Sequence, residues 1–577
     1  MPLSSVPAVG RVPGRSPKSR RRPYLVAAAT LITLPLIGLG IGLFGFLPAY
    51  APAPVETAVV VGDRACQQPA LLDEAGRVFL SIDTVQNLFD PDVTLDTEFR
   101  RALIPYAGHA IPLAVAGVAQ QLAAAPPVLN APYVADGAGV AHVPLDILAV
   151  LGGLTYRYFE ESNTVVIDRP GEIVQMATVV SGEAYVRQTP SLLSFKLSRL
   201  AGGDQIRVFG QTKGRYIVRD AAGRLGYVPL HDLRLETPAV SPWPDGTAHI
   251  PAPSLEGQKI SLVWEAVSGA NPNPADIGEM PSLNVVSPTW FHLVDTQGTI
   301  QNLGDATYVK WAHDRGYQVW GLVTNGFSLS RTHATIPDAA MRQKIIRQLL
   351  AYAAIYDLDG LNMDFENMYL SEKADYVALI RELAPLAREQ GLVLSVDVTF
   401  LSDSEAWSRC FDRPALSEIC DYVMVMAYDE HVSGTDHSGS VGSLPWVEDS
   451  LQRLLDGREI PAAKLVLGLP FYTRLWTEER GHRPKQTVYS MRGVHQLLEE
   501  KNLTPVYDPE TGQNYVEFTE DGLRQRLWIE DEVSMAQRVR LVAKYGFAGV
   551  AAWRRGFEDP ETWTVIEREL GPAEPSQ

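Results

Sequence analysis

The strongest constraint on the fold is a regular alternation of apolar strand candidates and helical stretches through residues 255–571. Helical stretches such as Met341–Tyr356 and Lys373–Gln390 separate eight apolar segments. In chain order the segments are Ile260–Trp264, Leu283–Ser287, Gln318–Thr324, Gly360–Phe365, Val393–Thr399, Tyr422–Tyr428, Lys464–Pro470 and Gly549–Trp553. Strands that alternate with helices form parallel sheets, and eight of them fit a closed (β/α)8 TIM barrel. The sequence therefore predicts an α/β fold with its active site at the carboxyl ends of the strands.

The fourth segment, Asp359–Glu366, carries chemical groups on one face only. Because side chains alternate along a strand, Asn362, Asp364 and Glu366 share a face, and the residues between them are apolar. Neighbouring carboxyl groups push each other's pKa values apart, so one can hold a proton while another is ionised. This pattern is typical of a glycosidase, and an edge strand with a solvated acidic face is the alternative. Asp359 is expected to support the turn into the strand.

Three motifs carry a resemblance to a known family. Asp359–Glu366 resembles the Asp-x-x-Asp-x-Asp-x-Glu signature of family-18 glycoside hydrolases, except that Asn362 stands where the signature has its second Asp. Asp421–Asp429 is similar to the sixth strand of that family, and Ala552-Trp553 to its last strand. The form with Asn362 resembles the branch found in bacterial spore-cortex and cell-wall N-acetylglucosaminidases. The resemblance covers residues 255–571 and implies a retaining glycoside hydrolase.

The resemblance also implies roles for individual residues. Glu366 would be the general acid and then the general base, and Asp364 would raise its pKa and orient the substrate's acetamide group. The acetamide oxygen itself would be the nucleophile, an exception to the two-carboxylate rule. Tyr428 would donate a hydrogen bond to that oxygen, and Trp553 would stack under the sugar ring. Asn362 is a substrate-binding candidate that, being uncharged, would leave Asp364 without a charged neighbour on that side.

Three further residues are substrate-binding candidates. Met426 and Asp429 belong to the sixth-strand motif. Asp429 could contact substrate or cap a loop. Trp528, with Glu530 and Asp531, could line the cleft, or these residues could form a structural hairpin between strands seven and eight. Both alternatives are open at this point.

The charge balance excludes one class of partner. The 577 residues carry 68 acidic and 50 basic side chains, a net charge of −18. Such a chain binds nucleic acid poorly, because phosphate contacts need clusters of Lys and Arg. The charge favours a neutral partner, and the family resemblance implies that this partner is an N-acetylglucosamine-containing polysaccharide, either peptidoglycan or chitin. Neither a cofactor nor a metal is expected, since His109 and His142 lack the spacing of metal ligands.

The N-terminal sequence predicts export. Residues 1–23 form a basic tail without an acid, and the uncharged run 24–50 is long enough to cross a bilayer at about 1.5 Å per residue. Because basic flanks stay in the cytoplasm, we expect a single-pass cell-membrane anchor with all later domains extracellular. The alternative is a secretory signal cleaved near Ala49-Tyr50-Ala51, which would release the same domains.

Residues 56–170 contain a short internal repeat. Val78–Asp83 recurs in outline as Ala141–Asp146, each a brief strand that ends in Asp before a helical turn. A hairpin within Leu154–Ile167 completes the second copy. The pattern resembles an extracellular module named after the N-terminal domain of copper amine oxidases, a small α+β unit that often forms a stalk and is not itself a copper site.

Residues 172–236 predict a small β-barrel. Short strands such as Ala184–Arg187 and Gly226–Val228 are separated by turns that contain glycine. These two strands resemble the opening and closing strands of bacterial SH3-type domains, which implies either cell-wall peptide binding or a spacer. The proline-rich segment 237–254 is expected to be a semi-rigid linker to the larger barrel.

Three functions are consistent with these features. The leading hypothesis is a membrane-anchored enzyme that cleaves bonds next to N-acetylglucosamine in peptidoglycan. A chitinase would share all of the catalytic chemistry. A carbohydrate-binding barrel without turnover is the third hypothesis. However, barrels of this family that have lost activity usually lack the catalytic acid, and Glu366 is present here.

Overall fold

The computed structural model describes residues 50–571 with the exception of 53, 99, 106–119, 123, 192, 241–254 and 256. The chain divides into two compact units, one around Val174–Ala239 and one that joins Pro54–Ile173 to the chain after residue 239. The predicted tail, nearly all of the predicted anchor, most of the proline-rich linker and His109 lie outside the described residues. Within the described ranges, no helix has the length and apolar character needed to span a bilayer.

Eight parallel strands of the larger unit close into a barrel. Each strand is hydrogen-bonded to the next, and the eighth pairs with the first. The barrel strands are Ile260–Glu265, Val285–Pro288, Gln318–Thr324, Gly360–Asp364, Val393–Thr399, Tyr422–Met426, Leu465–Pro470 and Gly549–Trp553. All eight predicted strands are therefore confirmed, three of them with identical bounds.

Helices between and after these strands cover the barrel. They are Ala306–Asp314, Leu329–Thr335, Ala339–Tyr356, Lys373–Glu389, Arg413–Ile419, Leu444–Asp456, Met491–Glu500, Glu532–Tyr545 and Pro560–Leu570. The helix that precedes the fourth strand begins at the cap Asp338, whose side chain accepts from the backbone N–H groups of Ala340 and Met341. It ends at Asp357, where a positive φ of 56° turns the chain into the strand.

The fourth strand lies inside the sheet, with the third strand on one side and the fifth on the other. The alternative of a solvated edge strand is therefore wrong. Leu361, Met363 and Phe365 are fully buried in the main core. At the amino end of the strand, Asp359 Oδ2 accepts from the Val319 N–H at 2.7 Å and from the His313 ring at 2.9 Å. Asp359 thus supports the turn into the strand, as predicted.

Two excursions interrupt the alternation. The hairpin Phe291–Leu293 with Ile300–Asn302 follows the second strand. A five-stranded antiparallel sheet lies between the seventh and eighth strands. Its strands are Tyr472–Glu478, Lys485–Ser490, Val506–Asp508, Gln513–Glu520 and Leu523–Ile529. The last two form a hairpin, which was one of the two alternatives for this region.

The region 54–173 is built around its repeat. The strands Val78–Ser81 and Ala141–Pro144 pair with each other, and each leads directly into a helix, Ile82–Leu88 or Leu145–Gly152. The other strands are Ala58–Val61, Arg64–Ala65, Ala70–Leu72, Thr94–Asp96, Arg101–Pro105, Val128–Pro132, Val134–Ala135, Thr155–Phe159 and Thr164–Asp168. The last two form the predicted hairpin.

This region packs directly against the barrel. The Asn130 amide donates to the Ile300 carbonyl oxygen at 2.6 Å and to the Tyr352 hydroxyl at 3.1 Å. In return, the Asn302 N–H donates to Asn130 Oδ1 at 3.0 Å. Asn130 is fully buried, so its polar atoms form hydrogen bonds with barrel residues instead of with water.

The small unit is a sheet rolled around a separate core. Alternate strand residues, such as Val186, Val208, Val218 and Val228, point into that core. Its strands are Ile173–Val179, Glu183–Arg187, Lys196–Ala201, Gln205–Thr212, Arg215–Arg219, Leu225–Pro229, Leu233–Leu235 and Ala239–Val240. The likeness to SH3-type and copper-amine-oxidase modules stays a prediction.

Candidate active site

A cleft opens at the carboxyl ends of the barrel strands, where polar side chains replace the apolar filling of the barrel. It encloses about 340 Å³. Its lining comprises Trp264, Leu322, Phe327, Asp364, Glu366, Asp397, Trp407, Met426, Tyr428, Asp429, Tyr472 and Trp553. Six of these residues are sequence-predicted site residues from three distant segments, so the fold brings them together as a parallel barrel should.

Asp364 and Glu366 form the centre of the cleft. Asp364 is the last residue of the fourth strand, and its carboxyl group is hydrogen-bonded to that of Glu366. Burial raises the pKa of Asp364 to about 7, and the hydrogen bond from Glu366 opposes this rise. Burial also raises the pKa of Glu366 well above its ordinary value, and repulsion from Asp364 adds to the rise. The pair therefore retains a proton near neutral pH, as a general acid must.

One carboxylate oxygen of the pair lacks a partner. Asp364 Oδ1 is buried and accepts no hydrogen bond from any described residue. A buried acceptor without a donor costs free energy, and such groups commonly mark functional sites. Because Asp364 lines the cleft, a ligand N–H group can satisfy this oxygen.

Asn362 does not reach the cleft, contrary to its prediction as a substrate-binding residue. It is fully buried one layer below Asp364, inside the barrel. Its Oδ1 accepts from Trp264 Nε1 at 2.8 Å and from the Ser287 hydroxyl at 3.1 Å. These contacts from the first and second strands hold the amide in place, so it cannot contact a sugar.

Asp397 is a third carboxyl group of the cleft that was missed from the sequence. It lies on the fifth strand and is 2% exposed. The Asn362 Nδ2–H group donates to Asp397 Oδ1 at 2.6 Å. Asp397 interacts electrostatically with Asp364, so Asp364 has an ionisable neighbour beside Asn362 that was not expected. The signal was present, because Ser395 and Asp397 alternate with apolar residues in Val393–Thr399.

The sixth-strand motif supplies the opposite wall. Met426 and Tyr428 are half-buried in the lining, and the rings of Tyr428 and Tyr472 meet edge-on at 6.2 Å. Asp429 Oδ1 accepts from the Tyr472 hydroxyl at 2.6 Å and pairs with Arg474. Asp429 thus anchors this wall and also lines the cleft. Tyr472 and Arg474 had no sequence signal, since both come from the unpredicted antiparallel sheet.

Aromatic rings form the floor and one rim of the cleft. Trp553 lies beside Trp264, with ring centroids 6.1 Å apart. At the rim, Phe327 and Trp407 are 52% and 43% exposed, and their centroids are 6.5 Å apart. Exposed rings in a cleft offer flat apolar surfaces that suit the faces of sugar rings.

Trp528 does not line the cleft, contrary to its prediction as a substrate-binding residue. It is buried against Tyr515, with ring centroids 5.0 Å apart, in the antiparallel sheet. Glu530 is an internal ion-pair partner of Arg538 at 2.7 Å, and Asp531 caps the helix Glu532–Tyr545. The structural alternative for this segment is therefore correct.

One acidic cluster lies apart from the cleft lining. Among the described residues, Glu532, Asp559 and Glu561 place carboxylate oxygens within 4.8 Å of one another. Acidic side chains commonly gather in this way without an ion, and no other feature of these described residues indicates a ligand.

Comparison with known proteins gives the family. Residues 320–558 match the family described as Glycosyl hydrolases family 18. The uncharacterized glycosylase YvbX of Bacillus subtilis (strain 168) is 23% identical over 280 residues, which cover 46% of this chain and 80% of the relative. The cortical fragment-lytic enzyme of the same organism is 23% identical over 254 residues, 43% of this chain and 58% of the relative. The crystal structure of a chitinase from Chromobacterium violaceum ATCC 12472 is 24% identical with a TM-score of 0.48, covering 54% of this chain and 98% of that chain. The match over residues 320–558 shows that the chain carries a domain of glycosyl hydrolase family 18 and is a glycoside hydrolase.

Proposed function

We propose that this glycoside hydrolase cleaves bonds next to N-acetylglucosamine in peptidoglycan, with retention of configuration and with the substrate's acetamide group as nucleophile. The observation that carries the proposal is the pairing of Glu366 with Asp364, whose Oδ1 is a buried acceptor without a protein donor. An acetamide N–H is a donor of the required kind. A mechanism with a protein nucleophile would instead need two carboxyl groups on either side of the scissile bond.

The proposed first step breaks the glycosidic bond. Protonated Glu366 donates its proton to the leaving oxygen while the acetamide carbonyl oxygen attacks the anomeric carbon. Asp364 accepts the acetamide N–H and balances the positive charge that develops on the resulting oxazolinium ion. The Tyr428 hydroxyl group donates a hydrogen bond to the acetamide oxygen and so fixes the direction of attack. In the second step ionised Glu366 removes a proton from water while the water oxygen attacks the anomeric carbon. The bond from that carbon to the acetamide oxygen breaks, which opens the oxazolinium ring, restores the acetamide group and leaves Glu366 protonated.

Substrate position follows from the aromatic floor. Trp553 stacks under the sugar that bears the acetamide group, supported by Trp264 at 6.1 Å. Met426 and Asp429 complete the wall on the Tyr428 side. In this proposal Asp429 contacts sugar hydroxyl groups with the oxygen that is not engaged by Tyr472 and Arg474.

The choice of polymer rests on the relatives. Three of them are named cortical fragment-lytic enzymes, from Bacillus subtilis, Bacillus anthracis and Bacillus cereus, which favours peptidoglycan. A probable endochitinase of Caenorhabditis elegans is 25% identical over 255 residues, which supports chitinase as the second candidate. Mass spectrometry of digests of peptidoglycan and of chitin oligomers distinguishes them. Products from chitin alone would reject peptidoglycan as the substrate.

The catalytic role of Glu366 is tested by Glu366→Gln. We expect the wild-type protein to release reducing N-acetylglucosamine ends from peptidoglycan and the variant to lose at least about 100-fold in kcat, because the amide cannot donate or accept the catalytic proton. Binding to the polymer should persist. The matched control is Glu389→Gln, an exposed glutamate at the end of a barrel helix. Unchanged product release by Glu366→Gln would contradict the mechanism, and release by neither protein would leave a carbohydrate-binding function.

The location of the enzyme is part of the proposal. The basic tail and apolar run support a single-pass anchor with the catalytic domain outside the cell, where peptidoglycan lies. Proteinase added to intact cells should then degrade the catalytic domain while it remains membrane-bound. Recovery of the domain in the medium would indicate the cleaved-signal alternative.

A further inference from the structure

The amide of Asn362 is held by four hydrogen bonds that fix its orientation. Oδ1 accepts from Trp264 Nε1, which can only donate, so the nitrogen and oxygen of the amide are assigned without ambiguity. Nδ2 donates to Asp397 Oδ1 at 2.6 Å and to the Ser395 hydroxyl at 3.1 Å. The donor side of Asn362 therefore faces the fifth strand, where it contacts an acid.

Asp397 belongs to an acidic cluster without a cation. Among the described residues, no Lys, Arg or His forms an ion pair with Asp364, Glu366 or Asp397, and the nearby Arg474 pairs with Asp429 instead. The other titratable groups that face the cluster are Asp429, Tyr428 and Tyr472 from the opposite wall, and Tyr376 from the helix behind the fourth strand. Each of these groups is either neutral or negatively charged, so the cluster can lower its negative charge only by holding protons.

An amide at position 362 is a better partner for an acid at position 397 than a second acid would be. Two carboxylates at 2.6 Å would repel strongly in a buried site, whereas an amide N–H stabilises the ionised form of its partner. Burial and the charge of Asp364 raise the pKa of Asp397, and the hydrogen bond from Asn362 lowers it. In turn, the charge of Asp397 raises the pKa of Glu366.

We propose that Asp397 is a positioning residue of the reaction, which, held by Asn362, keeps the proton on the Asp364–Glu366 pair. The amide and the acid form one unit, in which Asn362 supplies the hydrogen bond and Asp397 supplies the negative charge. This inference rests on the proposed catalytic function of Glu366 and adds the source of its protonation.

The expected sign follows from repulsion between like charges. Asp397→Asn keeps the size of the side chain and an oxygen that accepts from Asn362, but removes the charge. Glu366 then loses its proton at lower pH, and the basic limb of the kcat/KM profile moves to lower pH by about one unit. The exchange variant Asn362→Asp/Asp397→Asn returns one charge to the layer below Asp364 and should move the limb back toward the wild-type position.

The experiment compares pH profiles of kcat/KM for the wild type, Asp397→Asn and the exchange variant. Ser395→Ala is the matched control, because it removes another hydrogen bond to Asn362 without removing a charge. A structural role alone would lower the rate in Asp397→Asn and Ser395→Ala without moving the limb. A basic limb that keeps its position in Asp397→Asn overturns the inference.

A second measurement does not require turnover. The pH titration of the Glu366 carboxyl group can be followed by carbon NMR of protein labelled at the glutamate side-chain carboxyl carbon, with Glu366→Gln identifying the signal. The titration should move to lower pH in Asp397→Asn and keep its wild-type position in Ser395→Ala, because only the first change removes a charge near Glu366. If the wild type acts on no polysaccharide, the proposed function fails. The inference then stands or falls on whether Asp397→Asn moves this titration.

Discussion

Glu366 lies two residues beyond the end of the fourth barrel strand, where its carboxyl group is shielded from bulk water but still lines the cleft. Burial is the largest cause of its raised pKa, ahead of repulsion from Asp364. Spacing along the sequence points to Asp364 alone as the cause of this shift, because spacing shows which residues are neighbours but not how deeply they are buried. The proton on Glu366 therefore depends on the whole wall that excludes water.

Tyr428 allows a test of that wall at the level of one atom. Tyr428→Phe keeps the ring against Tyr472 and removes the hydroxyl group that is proposed to hold the acetamide oxygen. We expect kcat to fall about 100-fold with little change in KM, since a donor to developing charge acts mainly in the transition state. Steady-state kinetics on a soluble substrate measures both constants. Tyr369→Phe, at an exposed tyrosine outside the cleft lining, should change neither. A rise in KM with unchanged kcat would instead assign Tyr428 to ground-state binding.

At the scale of elements, closure of the barrel depends on a residue without a side chain. Gly549 begins the eighth strand and lies opposite Ile260 of the first. A Cβ atom at 549 would lie 2.0 Å from the Ile260 carbonyl oxygen and 2.6 Å from its nitrogen. The two strands cannot keep their hydrogen bonds at these distances.

Gly549→Ala is therefore expected to cost more than about 4 kcal/mol, which is exceptional for the addition of one methyl group. Denaturant unfolding followed by tryptophan fluorescence measures the loss. Gly137→Ala is the control, because a Cβ there meets no atom within 4 Å and its backbone φ is not positive. Equal stability of the two variants would show that the first and eighth strands separate without penalty.

The eight barrel strands could be predicted because each is buried on both faces and reads as an apolar run. The antiparallel sheet after the seventh strand could not, since strands such as Lys485–Ser490 are largely exposed and lack a clear alternation. Asp397 could be recognised on the polar face of its strand, but its partner could not be predicted. Its contact with Asn362 depends on the register that places Asn362 opposite Ser395, and register between distant strands is not a local property of the sequence.

At the scale of the whole molecule, the region 54–173 is more than a stalk. A stalk would share few contacts with the catalytic domain, but this region and the barrel form one compact unit. Arg77 is buried at their boundary, where its Nε donates to Asp146 Oδ2 at 2.9 Å and its Nη2 donates to the Gly304 carbonyl oxygen at 3.1 Å. Its Nη1 lies 3.4 Å from Asp305 Oδ2. Asp305 in turn caps the barrel helix Ala306–Asp314.

Arg77→Ala should therefore destabilise the catalytic domain through a residue of the other region. The change leaves Asp146 and Asp305 buried without their cation, which typically costs about 3 to 5 kcal/mol. Arg77 lowers the pKa of Asp305 against the effect of burial, so its loss lets that pKa rise further. Protonation then relieves the unpaired charge at low pH, and the destabilisation should be smaller at pH 5 than at pH 8. Denaturant midpoints at the two pH values measure this difference. Arg64→Ala, at an exposed arginine of the same region, should change neither midpoint. If Arg77→Ala unfolds the region 54–173 while the barrel keeps its wild-type midpoint, the two parts are thermodynamically separate and the stalk prediction is correct.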